Sequence, residues 1–130
     1  RITLLRDIDG DGDADQRTAL LTEEDGLNSP YGMAVADGWL YVANTAALLR
    51  FRFEPGDTEI EGSGEKIIDL PANAPNNHWT RNIVVDPDDP NIIYVAVGSN
   101  SNIAEHGMAA EENRAAVLEV DVEAREFRIY

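Results

Sequence analysis

A chain of 130 residues is about one ordinary domain, long enough to bury a core. Its formal charge of −15, with one lysine against nine arginines, argues against binding to phosphate backbones or anionic membranes, which need clustered basic groups. The absence of cysteine excludes disulfides, thiolate metal sites and cysteine nucleophiles, and no apolar run approaches the roughly 20 residues of a membrane-spanning helix. The acidic balance reads as a well-solvated surface. The chain opens on a strand-like Arg1-Ile2-Thr3-Leu4-Leu5-Arg6 rather than a signal peptide.

In chain order, Ile2 to Asp7 and Arg17 to Thr22 are short β-type runs flanking an aspartate-rich turn. Met33 to Ala36, Trp39 to Asn44 and Leu48 to Phe53 follow, then an acidic loop from Glu54 to Glu65 and a strand from Lys66 to Leu70. Asn82 to Val85, Ile92 to Val97, Ala116 to Val122 and Phe127 to Tyr130 repeat that order, with at most one helical turn, within Met108 to Arg114. Trp39 to Ala43 and Ile92 to Val97 are almost continuously apolar, as strands covered on both faces are. Leu48 to Phe53 and Val117 to Val122 alternate, as strands with one wet face do.

Tyr41-Val42-Ala43 matches Tyr94-Val95-Ala96 at a spacing of 53 residues, near the ~40–50 of blade repeats. Four-stranded antiparallel units repeated along a chain predict an all-β fold, a β-propeller, of which this chain covers about two and a half blades. The expected divisions are residues 1–24 for the end of one blade, 25–72 for a second and 73–130 for a third. The last strand would leave an open blade edge, a route to self-association.

Asp7-Ile8-Asp9-Gly10-Asp11-Gly12-Asp13-Ala14-Asp15 places carboxylates at positions 1, 3, 5, 7 and 9 with glycine at position 6, close to the spacing of a calcium loop. The glutamate expected at position 12 is replaced by Thr18, and the flanks read as strands. Asp7, Asp9, Asp11, Asp13 and Asp15 are therefore either ligands of a structural calcium or the solvated carboxylates of an Asp-Gly hairpin. His78, one of two histidines, sits in Asn76-Asn77-His78-Trp79-Thr80-Arg81-Asn82 at the mouth of a strand, where a neutral imidazole can accept a proton from a hydroxyl or make a structural hydrogen bond. Arg81 either pairs with Asp86 or faces an anionic ligand, and Asn100 begins a loop of about 15 residues, long enough to be functional.

Leu4 to Asp15, Leu27-Asn28-Ser29-Pro30-Tyr31-Gly32-Met33-Ala34, Asn77 to Asn82 and Val97 to Glu105 together resemble the glucose/sorbosone dehydrogenase family, soluble sugar dehydrogenases that use pyrroloquinoline quinone. The sorbosone-dehydrogenase-like branch is the most similar. The resemblance implies a six-bladed propeller with the quinone over its central channel. It implies His78 as the base that takes a proton from the substrate hydroxyl as hydride passes to the quinone. Asn77 and Asn28 fall near positions lining the cofactor pocket, and Asn82, Arg81 and Asn100 complete the cofactor-facing set. In the glucose branch a glycine and a quinone-holding arginine follow the base; here those positions hold Arg81 and Asn82.

The expectation is thus part of a periplasmic or secreted quinone-dependent dehydrogenase of a small sugar or aldehyde. Its cofactors would be pyrroloquinoline quinone and calcium, and its electron acceptor is unspecified. The fragment alone would be inactive, because about half the propeller lies outside it. Two rivals are a non-catalytic propeller binding module with structural calcium and a metal-dependent lactonase. The second would need carboxylates and asparagines such as Asn28, Asn44 and Asn100 converging on the channel.

Overall fold

The computed structural model describes residues 1–130 and is all-β apart from two 3₁₀ turns, Glu23–Asp25 and Met108–Glu111. Ten strands form three antiparallel sheets. Strands β1 (Ile2–Arg6) and β2 (Gln16–Leu21) pair as a hairpin. Strands β3 (Met33–Ala36), β4 (Trp39–Ala43), β5 (Ala47–Arg52) and β6 (Glu65–Asp69) form the second sheet in that order. The third sheet repeats the meander with β7 (Arg81–Val85), β8 (Ile92–Val97), β9 (Ala116–Asp121) and β10 (Glu126–Ile129).

Local chemistry accounts for the hairpins. Asp37 and Gly38 both take positive φ, +49° and +75°, as a two-residue turn matched to strand twist requires. Between β7 and β8 the Asp86 carboxylate accepts from the Asp88 and Asp89 N–H groups, and Asp89 accepts from Asn91. After β9 the Asp121 carboxylate accepts from Ala124 N–H and from the Asn91 side chain.

The second and third sheets stack through one apolar core. Tyr41, Ala43, Leu48, Ile67 and Ile68 on one side meet Ile83, Ile93, Val95, Val97, Leu118, Val120 and Val122 on the other. At roughly 1.5–3 kcal/mol for each fully buried aliphatic side chain, this contact is the main attraction between the sheets. A second core of Leu21, Leu27, Leu40, Val42, Leu49 and Phe51 joins the β1–β2 hairpin to the second sheet. Strand β4 therefore feeds both cores, and its continuous apolarity has that cause. The two four-stranded sheets approach each other at their first strands, β3 and β7, as propeller blades do around a common axis. The fold is that of partial β-propeller blades.

Tyr41 and Tyr94 occupy equivalent second strands, and the equivalence extends to the faces. Tyr41 and Ala43 point to the following blade, and Tyr94 and Ala96 point to the corresponding face of the third sheet, which no sheet covers. Val84, Ala96 and Val117 are exposed there. The expectation that β8 is covered on both faces is corrected on this account. Strand β5 is also corrected: alternation sends Leu48 into one core and Leu49 into the other, so the strand is covered on both faces there rather than wet on one.

Gly32 shows how tightly the blades meet. Its N–H donates to the Arg81 carbonyl at 2.9 Å and its carbonyl accepts from Ala43 N–H, while a Cβ on it would lie 2.5 Å from the Arg81 oxygen and 2.7 Å from the Ile83 nitrogen. A methyl group there meets backbone, which cannot swing aside. Gly32→Ala is expected to lower stability by about 1–3 kcal/mol, the usual range for overpacking, measured as a shift in the denaturant midpoint of the full-length protein with the slope unchanged.

Candidate active site

The meanders place the loops at two ends. The segments before β3, between β4 and β5, between β6 and β7, and between β8 and β9 share one end, with His78 among them. The loop between β1 and β2 lies at the other end, where the Arg6 guanidinium donates to the Asp57 carbonyl of the loop between β5 and β6. The His78 end is cross-braced. Thr45 Oγ donates to the Trp79 carbonyl, Asn76 Nδ2 donates to Thr45 Oγ, and Asn77 N–H donates to the Asn100 carbonyl.

His78 is exposed, and its ring is held from one side. Nδ1 lies 3.0 Å from the Ser99 carbonyl oxygen and 3.0 Å from the Ser99 hydroxyl. A carbonyl can only accept, so a bond to it puts the proton on Nδ1 and leaves Nε2, which has no protein partner, with its lone pair free. Gly98 makes the seat: a Cβ there would stand 2.5 Å from the His78 Cβ.

Beneath the loop lie two arginines. Arg81 is fully buried; one terminal NH₂ donates to the carbonyls of His78 and Thr80, and the other to the Pro71 carbonyl and the Asn76 side chain. Arg114, also buried, donates from Nε to the Gly98 carbonyl at 2.7 Å and from its NH₂ groups to Ser99, Pro71 and, at 3.5 Å, His78. Burial first, then the neighbouring Arg114 charge, pushes Arg81 down to about 10, so it remains a cation at neutral pH. Burial also lowers Arg114, against an opposing effect from Glu111. The Glu111 carboxylate accepts from the N–H groups of Asn100 and Ser101 and from the Ser101 hydroxyl.

The sequence-predicted residues divide. Asn28, Asn77 and Asn82 are exposed at the His78 end. Asn82 joins Tyr31, Thr80, Gly98 and Val117 in lining an open groove of about 540 Å³, whose lining does not include His78. Trp79, partly exposed, meets Tyr31 edge to face at 6.5 Å. Arg81 and Asn100 are corrections: both are wholly buried in bonds to neighbouring loops, so neither presents its side chain to a ligand at the surface. Arg81 does not pair with Asp86, whose carboxylate accepts instead from the Tyr94 hydroxyl at 2.8 Å. Asn44 is also interior, bonded to Gly26 and Asn28, so two of the three asparagines a lactonase would need are occupied structurally. Ser99, Glu111 and Arg114 escaped sequence reasoning.

At the far end, Asp7, Asp9 and Asp15 bring carboxylate oxygens within 4.8 Å of one another. Asp11 and Asp13 stand outside this group, so the five-ligand expectation narrows to three. Asp7 also accepts from the N–H groups of Gly10 and Gly12, and Asp15 from that of Ile8.

A β-propeller segment whose one loop end carries exposed amides and an imidazole anchored through Nδ1 with Nε2 free is the class that fold and site define. The chain belongs to the TrAA12-like family, whose model matches residues 2–128. No curated protein matches it. Among solved structures, a calcium structure of a Trichoderma reesei carbohydrate-active enzyme of family AA12 is similar over 94% of this chain and 30% of its own, at 16% identity and a TM-score of 0.70. The holo form of the pyranose dehydrogenase PQQ domain from Coprinopsis cinerea is similar over 88% of this chain and 27% of its own, again at 16% identity and a TM-score of 0.70. This chain therefore spans less than a third of either structure. These findings establish the fold and the TrAA12-like family; they do not single out the sorbosone-dehydrogenase-like branch.

Carboxylates that accept several N–H bonds are easier to ionise folded than unfolded. Backbone N–H groups hold Glu105 down to about 2, led by that of Ile103; Asn100 N–H lowers Glu111, Asp88 N–H lowers Asp86, and Ala124 N–H lowers Asp121. Their contribution is complete above the unfolded carboxylate range near 4–4.5 and disappears as pH falls through the lowered folded values. Stability is expected to drop on acidification below about 4.5. Glu111→Gln should make that drop shallower, as read from urea midpoints between neutral and acid pH.

Proposed function

We propose that this chain forms part of a quinone-dependent dehydrogenase of a sugar or aldehyde, of the sorbosone- or glucose-like kind, in which His78 is the general base. One observation carries the reading: the imidazole is anchored through Nδ1 to Ser99 and turns an unpartnered Nε2 outward at the loop end of the propeller. That nitrogen can take the proton from a substrate hydroxyl as the carbon bearing it gives up hydride. Pyrroloquinoline quinone, when bound, supplies the two-electron acceptor. Its relation to the pyranose dehydrogenase PQQ domain and to family AA12 supports this cofactor class.

The residues present fit such a group in part. Asn28, Asn77 and Asn82 offer exposed neutral donors and acceptors at the same end of the blades as the base, suited to hydroxyls and quinone oxygens. Arg81 and Arg114 are both buried, so this chain offers no cation from either to the quinone's carboxylates. An extracytoplasmic location, periplasmic or secreted, goes with this reading. A further blade of a complete propeller would cover the face carrying Val84, Ala96 and Val117, whereas self-association would run through the open edge of β10.

Full-length protein given quinone, calcium and an aldose should reduce a dye, and His78→Ala should lower kcat/KM by about 10²–10⁴-fold without moving the unfolding midpoint. Undiminished dye reduction in that variant would remove the base assignment, and lactone hydrolysis without quinone would replace the reading by the lactonase one.

Calcium held by Asp7, Asp9 and Asp15 has a structural part in the same reading. At a hundred times its Kd, calcium should raise stability by about 2.7 kcal/mol. Asp9→Asn should abolish that gain in a thermal melt, and a melt insensitive to calcium would leave the loop a solvated hairpin.

A further inference from the structure

The ring of His78 has two possible partners in one residue, and they have opposite consequences. The Ser99 carbonyl only accepts, so it demands a proton on Nδ1 and frees Nε2. The Ser99 hydroxyl, also 3.0 Å from Nδ1, can donate as well as accept. If it donates, Nδ1 carries the lone pair, the proton moves to Nε2, and the outward nitrogen can no longer take a proton in the neutral ring. Which partner prevails depends on what holds the carbonyl in place.

Arg114 holds it. Its NH₂ donates to the Ser99 carbonyl at 3.0 Å while its Nε donates to the preceding Gly98 carbonyl at 2.7 Å. A planar fork bonded to consecutive carbonyls fixes the direction of both, which a point charge cannot do. Arg114 is fixed in turn: its other NH₂ donates to Pro71, and Glu111, three residues before it, grips the Asn100 and Ser101 N–H groups just beyond Ser99. On the other side, Arg81 holds the His78 carbonyl at 2.8 Å. Ring and carbonyl thus have fixed positions on two facing segments.

We propose that Arg114 is a positioning residue for His78: by pinning the Ser99 carbonyl it makes that oxygen, rather than the Ser99 hydroxyl, set the tautomer of the ring. The inference rests on the reading of His78 as the base, but its readout does not need turnover. In full-length protein labelled with ¹⁵N-histidine, at a pH where the ring is neutral, the His78 signals are identified by their loss in His78→Asn. The unsubstituted protein should show the Nδ1–H tautomer. Arg114→Met should shift the population toward Nε2–H and lower kcat about 10²-fold with KM changed less than about threefold. Adding Ser99→Ala to Arg114→Met removes the competing donor and should restore the Nδ1–H signal. An Nδ1–H tautomer unchanged in Arg114→Met would overturn the proposal. If Arg114→Met does not fold, Ser99→Ala alone decides: retention of Nδ1–H supports the carbonyl as the orienting group, and a switch to Nε2–H overturns it. Spectra that behave as proposed in a protein that reduces no dye would count against the base reading alone.

Discussion

Two cations are buried at one end of this fold, and Arg81 has no carboxylate among its partners. Moving a guanidinium out of water is expensive unless other dipoles replace the water. Here the replacements are backbone carbonyls, those of Pro71, His78 and Thr80 for Arg81 and those of Gly98, Ser99 and Pro71 for Arg114. Pro71 serves both arginines, which brings like charges together and raises the demand on the surrounding oxygens. The loops at this end must therefore aim their carbonyls inward, which settles their backbone before any ligand arrives. That constraint is the opposite of a flexible binding loop. It gives His78 a fixed carbonyl on one side and a fixed ring partner on the other.

The strands were legible because their signals are local. Period-two alternation and turn residues place all ten within about two residues of where they lie. The Tyr41 and Tyr94 repeat identifies equivalent strands and even equivalent faces. What an apolar run cannot tell is whether a sheet lies over it, and so the run in β8 predicts a cover that one of its faces lacks. Arg81 is the instructive miss. As a charge in a polar stretch it reads as surface, yet it shares the parity of Ile83 and Val85, which puts it on the inward face of β7. Asn82 and Val84 share the opposite parity and are exposed. Applied one residue earlier, the alternation rule would have turned Arg81 inward and withdrawn it from the cofactor set. Arg114 and Ser99 offered no such signal, because their partnership joins a strand end to a residue 15 positions later across an irregular loop.

The two chemistries of the chain are kept apart by the strands themselves. A strand of five or six residues spans about 17–20 Å, and the blades put the aspartate loop at one end and His78 at the other. An ion at Asp7, Asp9 and Asp15 is then too far to polarise a group bonded to His78, and its field is screened over more than a Debye length at physiological salt. Whatever the aspartates hold acts on the fold and not on the base. The base depends instead on neighbours a few ångströms away, where a carbonyl and a hydroxyl of the same serine compete for one nitrogen. Because that competition is decided by the direction of a carbonyl, the buried arginines influence the outward nitrogen without touching anything the nitrogen touches.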